Sequence, residues 1–120
     1  MADIKYSISD LIDDPSKKIK VVILQGQLDE SNIDAFAPKI YEMINSMEDQ
    51  TSVIFDMQNL TYMNSKSIGY ISDFYNHITA KGGKIIIAKA PNNVKDILNV
   101  VGMDQMITLT QTMEEAKLMA

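Results

Sequence analysis

The stretch SVIFDMQNLTYMNSKSIGYISDFYNHI, residues 52–78, decides how this chain folds. It opens with an apolar run that ends at Asp56, as is typical of a buried strand. The segment from Met57 to Asn64 is expected to be a loop. One apolar face of an amphipathic helix follows, formed by Ile68, Ile71, Phe74, Tyr75 and Ile78. A strand that leads through a loop into a helix is the repeating unit of an α/β domain.

The rest of the chain alternates in the same way. Four further strands are predicted: Ile4 to Ser9, Ile19 to Leu24, Gly83 to Ala88 and Met106 to Leu109. Three further helices are predicted: one that begins near Asp34 with Pro38 in or just past its first turn, one between Pro91 and Gly102, and a short last one with a capping box of Thr112 and Glu115. We therefore expect one α/β domain over residues 1–120. Its mixed, mostly parallel sheet should have four to five strands, flanked by about four helices.

Composition excludes several classes of protein. The 120 residues are 46% hydrophobic, which is enough for a core, and the net charge of -5 disfavours a broad basic surface for nucleic acid. The chain contains no cysteine, so it has no disulfide framework and no thiolate metal site. The apolar runs are too short to span a bilayer, and residues 1–6 do not resemble a signal peptide. A soluble, cytoplasmic protein without a membrane or nucleic-acid partner is expected.

No pattern indicates an enzyme. The chain has neither a Gly-rich phosphate loop nor a dinucleotide fingerprint. His77 is the single histidine, and it is interpreted as structural. The remaining conspicuous carboxylates are interpreted as loop and helix-end charges: Asp13, Asp14, Asp29 and Glu30. We expect no catalytic residue, no metal and no cofactor.

Asp56 has two interpretations. A carboxylate at the end of a central strand could be a phosphoacceptor, as in a response-regulator receiver. A receiver also needs an acidic pair near its first strand to hold Mg²⁺, and Asp13 and Asp14 lie beyond the strand. In the alternative, Asp56 ends its strand and hydrogen-bonds the segment that follows.

Ser65 precedes the helical face that begins at Ile68. Asn64 or Ser65 should therefore be the N-cap of that helix. The free N–H groups and the positive end of the helix dipole also favour an added anion at this point. Phosphorylation would bring about -1.5 to -2 charges to the helix start. From the residues alone, Ser65 is either a cap or a switch.

Five segments in order resemble those of a STAS domain, and most closely the stand-alone bacterial anti-sigma factor antagonists. The resemblance covers about Ile19 to Ala116. The first segments, Leu24 to Asp29 and Val53 to Met57, resemble the family's L-x-G-x-L/I-D turn and its buried strand ending in Asp. Leu60 to Ser65 resembles the loop that leads to D-S-S/A-G-L. The last two are Gly82 to Ile87, similar to the family's G-G-x strand, and Val94 to Gly102 with Glu114 to Ala116, similar to its closing helices.

The resemblance implies a function. In that family the serine aligned with Ser65 is phosphorylated by an anti-sigma serine kinase that uses ATP and Mg²⁺. The unmodified antagonist binds that kinase and releases the sigma factor, and a PP2C-type phosphatase restores it. Applied to this chain, the resemblance implies that Ser65 is a phosphorylation switch and that the domain is a protein-binding module, not a catalyst.

Three residues depart from the family pattern. Asn64 replaces the usual Asp, and Lys66 and Ser67 replace the usual small residue and Gly. Asn64 keeps its capping ability but loses a charge, whereas Lys66 could pair with a phosphate. Ser67 and Thr61 are alternative acceptors. These departures favour a second function, a non-phosphorylated STAS scaffold subunit of a signalling or transport complex.

The expected partner surface surrounds Ser65. It comprises the turn from Gly26 to Asp29, the loop from Met57 to Asn64 and the exposed side of the following helix. The predicted contact residues are Gly26, Asp29, Asp56, Met57, Tyr62, Met63, Asn64, Lys66 and Ser67. Two alternatives stay open: Met57, Tyr62 and Met63 could instead pack beneath the loop, and the free protein could be a monomer or a weak dimer.

Overall fold

A five-stranded mixed sheet forms the centre of the structure, a computed structural model that describes residues 3–12 and 14–120. The strands are β1 (Ile4–Leu11), β2 (Ile19–Leu28), β3 (Ser52–Met63), β4 (Ile85–Ala88) and β5 (Thr108–Thr110). They lie in sequence order; β1 pairs antiparallel with β2, and all later pairs are parallel. The predicted mixed, mostly parallel sheet is confirmed. Asp13, which is interpreted from the sequence as a loop or helix-end charge, lies outside the described residues.

The structure describes four α-helices, of which the first three connect parallel strands and the last follows β5. They are α1 (Ile33–Ser46), α2 (Ser65–Ala80), α3 (Asn92–Val100) and α4 (Met113–Met119). The side chain of Thr112 caps α4 by accepting the N–H of Glu115 at 3.1 Å, as its capping box predicts. Gly102 follows α3 with a left-handed φ of 80°, which confirms the predicted stop signal. The α/β fold with four helices is therefore as expected.

Different helices pack on the two faces of the sheet. Side chains alternate along β3, so Val53 and Phe55 face one side and Ile54 faces the other. The first side packs against α1, α2 and α3 and forms the larger core. The second side packs against the short α4. This arrangement brings the starts of α1 and α2 to the edge of the sheet where the parallel strands end.

The expected loop from Met57 to Asn64 is wrong, because β3 continues to Met63. Its second half pairs with β2 as far as Leu28, so the predicted turn beginning at Gly26 also belongs to a strand. The register shifts twice in this region, between Ile23 and Gln25 and between Gly26 and Gln27. Each shift places an extra residue on β3, which is a β-bulge.

Gly26 allows the beginning of the described chain to approach β2 closely. Its φ is +114°, and a Cβ at this position would lie 2.2 Å from the carbonyl oxygen of Asp3. The N–H of the next residue, Gln27, donates to that same oxygen at 2.8 Å. The glycine is therefore required by the backbone, whether or not a partner contacts it.

Replacing Gly26 with Ala should destabilise the fold by about 3 kcal/mol, because it combines positive-φ strain with a backbone clash. Gly102→Ala is the matched control, since its φ is +80° but no atom lies within 4 Å of its added Cβ. That control should lose only about 1 kcal/mol. Urea unfolding of both variants measures the difference. Equal losses would show that the clash at Gly26 is relieved by movement of β1.

Candidate functional site

The start of α2 is fixed by Asn64, which acts as its N-cap. The Asn64 side-chain oxygen accepts the backbone N–H of Ser67 at 2.9 Å and the Ser67 hydroxyl at 2.7 Å. The backbone N–H of Asn64 donates to the carbonyl of Leu28 at 3.2 Å, which ties this corner to the end of β2. The helix start is thus held both by its own cap and by the neighbouring strand.

Ser65 is the first helical residue, and it is exposed. The first turn of α2 carries no acidic residue, so no carboxylate there offsets the positive end of its dipole. Ser67 differs sharply, because its side chain is 0% exposed and bonded to the cap. The expectation that Ser67 could be an acceptor or a contact residue is therefore wrong: it points into the structure. Of these two serines, only Ser65 exposes its side chain to solvent.

Lys66 bridges α2 to α1. Its ammonium lies 2.9 Å from Asp34 Oδ2 and 3.9 Å from Glu30 Oε2. The Tyr70 hydroxyl donates to the other oxygen of Asp34 at 2.7 Å. The hydrogen bond from Lys66, followed by that from Tyr70, lowers the pKa of the Asp34 carboxyl below its ordinary 3.8. The same contact raises the pKa of Lys66. The lysine that departs from the family pattern thus has a carboxylate partner on α1.

A second cross-helix contact lies one turn further along α2. The Tyr41 hydroxyl of α1 donates to Asp73 Oδ2, and His77 Nε2 lies 3.3 Å from the same oxygen. The Tyr41 ring packs edge-on against Phe74 and His77. Burial, and then the hydrogen bond to Asp73, raises the pKa of the Tyr41 hydroxyl, which stays a neutral donor. His77 is exposed and has a carboxylate partner four residues earlier, which the sequence interpretation overlooked.

Two of the predicted contact residues lie inside the core. Met57 is 0% exposed and Met63 is 1% exposed, and both belong to the larger core. The alternative in which they pack within the domain therefore holds for both. Tyr62 is 46% exposed on the same strand and stays on the surface.

The segment between β2 and α1 forms a polar corner beside Asn64. Asp29 Oδ1 accepts the backbone N–H of Ser31 at 2.8 Å and its hydroxyl at 2.6 Å, and these bonds lower the pKa of Asp29. Asn32 accepts the N–H of Asp29 and donates to the carbonyl of Gln27. Thr61 is exposed, but its hydroxyl donates to the carbonyl of Gly26 at 3.1 Å.

Asp56 lies inside β3, because the strand continues past it. Its Oδ1 accepts the N–H of Gln58 at 3.1 Å, so the expected hydrogen bond to the following segment is present, but the expectation that Asp56 ends its strand is wrong. Lys89 Nζ lies 3.8 Å from its other oxygen. Within residues 3–12 and 14–120, no three His, Cys, Asp or Glu side chains gather as a possible metal site. The acidic group that a receiver needs is not assembled around Asp56 in that part of the chain.

Several residues of this surface were not singled out from the sequence: Tyr41, Gly69, Tyr70 and Asp73. The spacing of Asp73 and His77, four apart on one helix, was a usable signal. Gly69 was another, because a glycine inside an amphipathic helix pattern costs stability. The contacts of Tyr41 and Tyr70 depend on how α1 packs on α2, and no local pattern encodes that packing.

The fold and this corner together define an α/β domain in which an exposed serine is the first residue of an N-capped helix. Residues 13–116 match the family model of the STAS domain. The chain therefore belongs to the STAS domain family.

Solved structures share the fold. The anti-sigma factor antagonist SpoIIAA in its unphosphorylated form superposes with a TM-score of 0.72 at 20% identity, covering 92% of each chain. An anti-sigma factor antagonist from Mycobacterium paratuberculosis gives 0.73 at 18% identity, over 93% of this chain and 92% of that one. SpoIIAA from Bacillus in its phosphorylated form superposes with a TM-score of 0.66 at 16% identity, covering 95% of this chain and 100% of that chain. Among the described residues, no helix has both the length and the apolarity to cross a membrane.

Replacing Lys66 with Gln should raise the pKa of Asp34 toward 3.8, because the principal hydrogen bond that lowers it is lost. In the wild type the lowered pKa means that this contact stabilises the fold above about pH 4 and is lost as the pH falls through the pKa of folded Asp34. Carboxyl NMR titration of Asp34 measures the change. Lys39→Gln, an exposed lysine on the same helix as Asp34, is the control and should leave the titration in place. An unchanged titration in Lys66→Gln would refute the bridge.

Replacing Gly69 with Ala should stabilise the free protein by about 0.5–1 kcal/mol, the difference in helix propensity. Gly69 is exposed within α2, and no atom lies within 4 Å of an added Cβ. Gly83→Ala should act in the opposite direction, since its Cβ would lie 1.9 Å from the carbonyl oxygen of Thr51. Thermal unfolding compares both with wild type. A Gly69→Ala variant that is less stable would mean that the site is already packed.

Proposed function

We propose that this protein is an anti-sigma factor antagonist, a protein-binding module whose partner is an anti-sigma factor of the serine-kinase type. The observation that carries the proposal is Ser65, an exposed hydroxyl at the first residue of α2 in a STAS domain. Structural relatives include SpoIIAA in both phosphorylated and unphosphorylated forms. Unmodified Ser65 permits binding, which frees the sigma factor, and phosphorylation prevents it.

The covalent step is a phosphoryl transfer supplied by the partner. The kinase transfers the γ-phosphoryl group of ATP to Ser65 Oγ, releasing ADP and the hydroxyl proton. A PP2C-type phosphatase then uses water to return serine and inorganic phosphate. The start of α2 tolerates the product, because its first turn has no acidic residue and its N–H groups favour an anion. Asn64 holds the cap in both states through its own side chain.

The partner surface that supports this proposal is narrower than the sequence suggested. Met57, Met63 and Ser67 are buried, so they position the surface from below. The groups available to a partner belong to the polar corner, the exposed side of β3 and the first turns of α2: Asp29, Glu30, Tyr62, Asn64, Ser65, Lys66 and Gly69. Gly26 and Asp56 are partly exposed, and each has a backbone or hydrogen-bonding role of its own.

A non-phosphorylated STAS scaffold is the second candidate. The observation that favours it is the Lys66 bridge, which occupies a position where the family pattern has a small residue. Asn64 also provides the cap without the acidic charge of the family's usual Asp. Such a protein would use the same surface without a covalent switch.

Replacing Ser65 with Asp should abolish capture of a serine-kinase-like anti-sigma factor from a source-cell lysate, because a charge appears at the contact. Ser65→Ala should capture the kinase as wild type does, yet carry no phosphate by intact mass after incubation with ATP and Mg²⁺. Gln105→Glu is the matched control: it adds one negative charge at an exposed residue in the turn after α3. Mass spectrometry identifies the captured proteins.

The two candidates predict different outcomes in this experiment. Loss of the kinase with Ser65→Asp but not with Gln105→Glu supports the switch. If all baits retain the same partners and wild type never carries phosphate on Ser65 in cells, the switch is refuted and the scaffold stands.

A further inference from the structure

A shallow recess lies between α1 and α2, next to the proposed switch. It has a volume of about 280 Å³ and is lined by Tyr41, Lys66, Gly69, Tyr70 and Asp73. The recess is open above Gly69, because that residue has no side chain and, apart from its chain neighbours and the backbone of its own helix, nothing lies within 4 Å of its Cβ position. We propose that this recess receives an arginine side chain from the protein that binds around Ser65.

The charge of the recess favours a cation. Its wall carries the carboxylate of Asp73, whose side chain is about half exposed. The hydroxyl of Tyr41 donates to this carboxylate without adding charge, and His77 Nε2, which is a cation only when protonated, lies 3.3 Å from the same oxygen. Lys66 is already engaged with Asp34 and lies near Glu30, so its charge is opposed by two further carboxylates. The three carboxylates of Asp73, Asp34 and Glu30 outnumber the two groups that can be cationic, Lys66 and His77, so an approaching guanidinium meets a net negative surface.

The aromatic wall favours arginine over other cations. The rings of Tyr41 and Tyr70 lie with centroids 6.4 Å apart at an interplanar angle of 61°. A planar guanidinium can pack on an aromatic ring while its N–H groups point to a carboxylate, whereas a lysine ammonium is a compact and strongly hydrated charge. Arginine is also enriched among the residues that dominate binding energy at interfaces.

The position of the recess links it to the switch. Gly69 follows Ser65 by four residues, so both lie on the same side of α2. A partner that covers the Ser65 hydroxyl therefore also covers the recess. The inference depends on the proposed function only in naming the anti-sigma factor as the owner of the arginine.

The test titrates the isolated ¹⁵N-labelled protein with N-acetyl-arginine amide and, separately, with the neutral isostere N-acetyl-citrulline amide. The arginine compound should shift the backbone resonances of Gly69, Tyr70 and Asp73 with weak, saturable binding, and the citrulline compound should not. Gly69→Leu fills the recess and Asp73→Asn removes its charge while keeping an acceptor for Tyr41. Each variant should weaken the binding of the arginine compound by about fivefold or more. Thr79→Leu, which adds the same side chain at an exposed position near the end of α2, should leave binding unchanged.

Equal shifts with arginine and citrulline, or wild-type binding by Gly69→Leu, would overturn the recess proposal. No anti-sigma factor is present in this titration, so its outcome does not depend on whether Ser65 is a switch. If the arginine titration succeeds and the Ser65→Asp bait still captures its partners, the recess stands and the switch fails. If the arginine titration fails and the Ser65→Asp bait loses the kinase, the switch stands and the recess proposal fails.

Discussion

The parallel pairing of β2 with β3 is the interaction on which the rest of the structure depends. It runs from Ile19 beside Ser52 to Leu28 beside Met63 and spans the whole length of both strands. β4 pairs with only the first part of β3, up to Asp56. The second part of β3 is therefore held by β2 and by the core residues beneath it. This half of the strand carries the chain to the start of α2 and so determines where Ser65 lies.

The sequence predicted the five strands and four α-helices that the structure describes, but it did not predict how far β2 and β3 extend. For β3 the reason lies in the spacing of the buried residues after Asp56, which are Met57, Leu60 and Met63. They recur every third residue, because two bulges interrupt the alternation that identifies a strand. The local sequence pattern after Asp56 is therefore typical of a loop, and only its pairing with β2 shows that it is a strand. Burial of Met57 and Met63 follows directly from this pairing.

The candidate site was predictable where local chemistry controls it. An Asn or Ser before an apolar helical face predicts an N-cap, and Asn64 is that cap. The state of Ser67 was not predictable, since its burial depends on the side chain turning back to Asn64 and on the packing of α2. The Lys66 bridge was equally hidden, because its partner Asp34 is 32 residues away and meets it only when α1 and α2 lie side by side. Contacts across helices require the tertiary structure.

The anchoring of Asn64 has a consequence for the rate at which such a domain could exchange partners. Its backbone N–H is bonded to the end of β2 and its side chain closes the first turn of α2, so the residue before Ser65 is fixed from both sides. A group added to Ser65 Oγ would change charge and bulk next to a backbone that these hydrogen bonds hold in place. In the proposed switch, partner exchange would then need no rearrangement of the backbone at Asn64. Its timing would be set by the enzymes that add and remove the group and by how fast each complex dissociates.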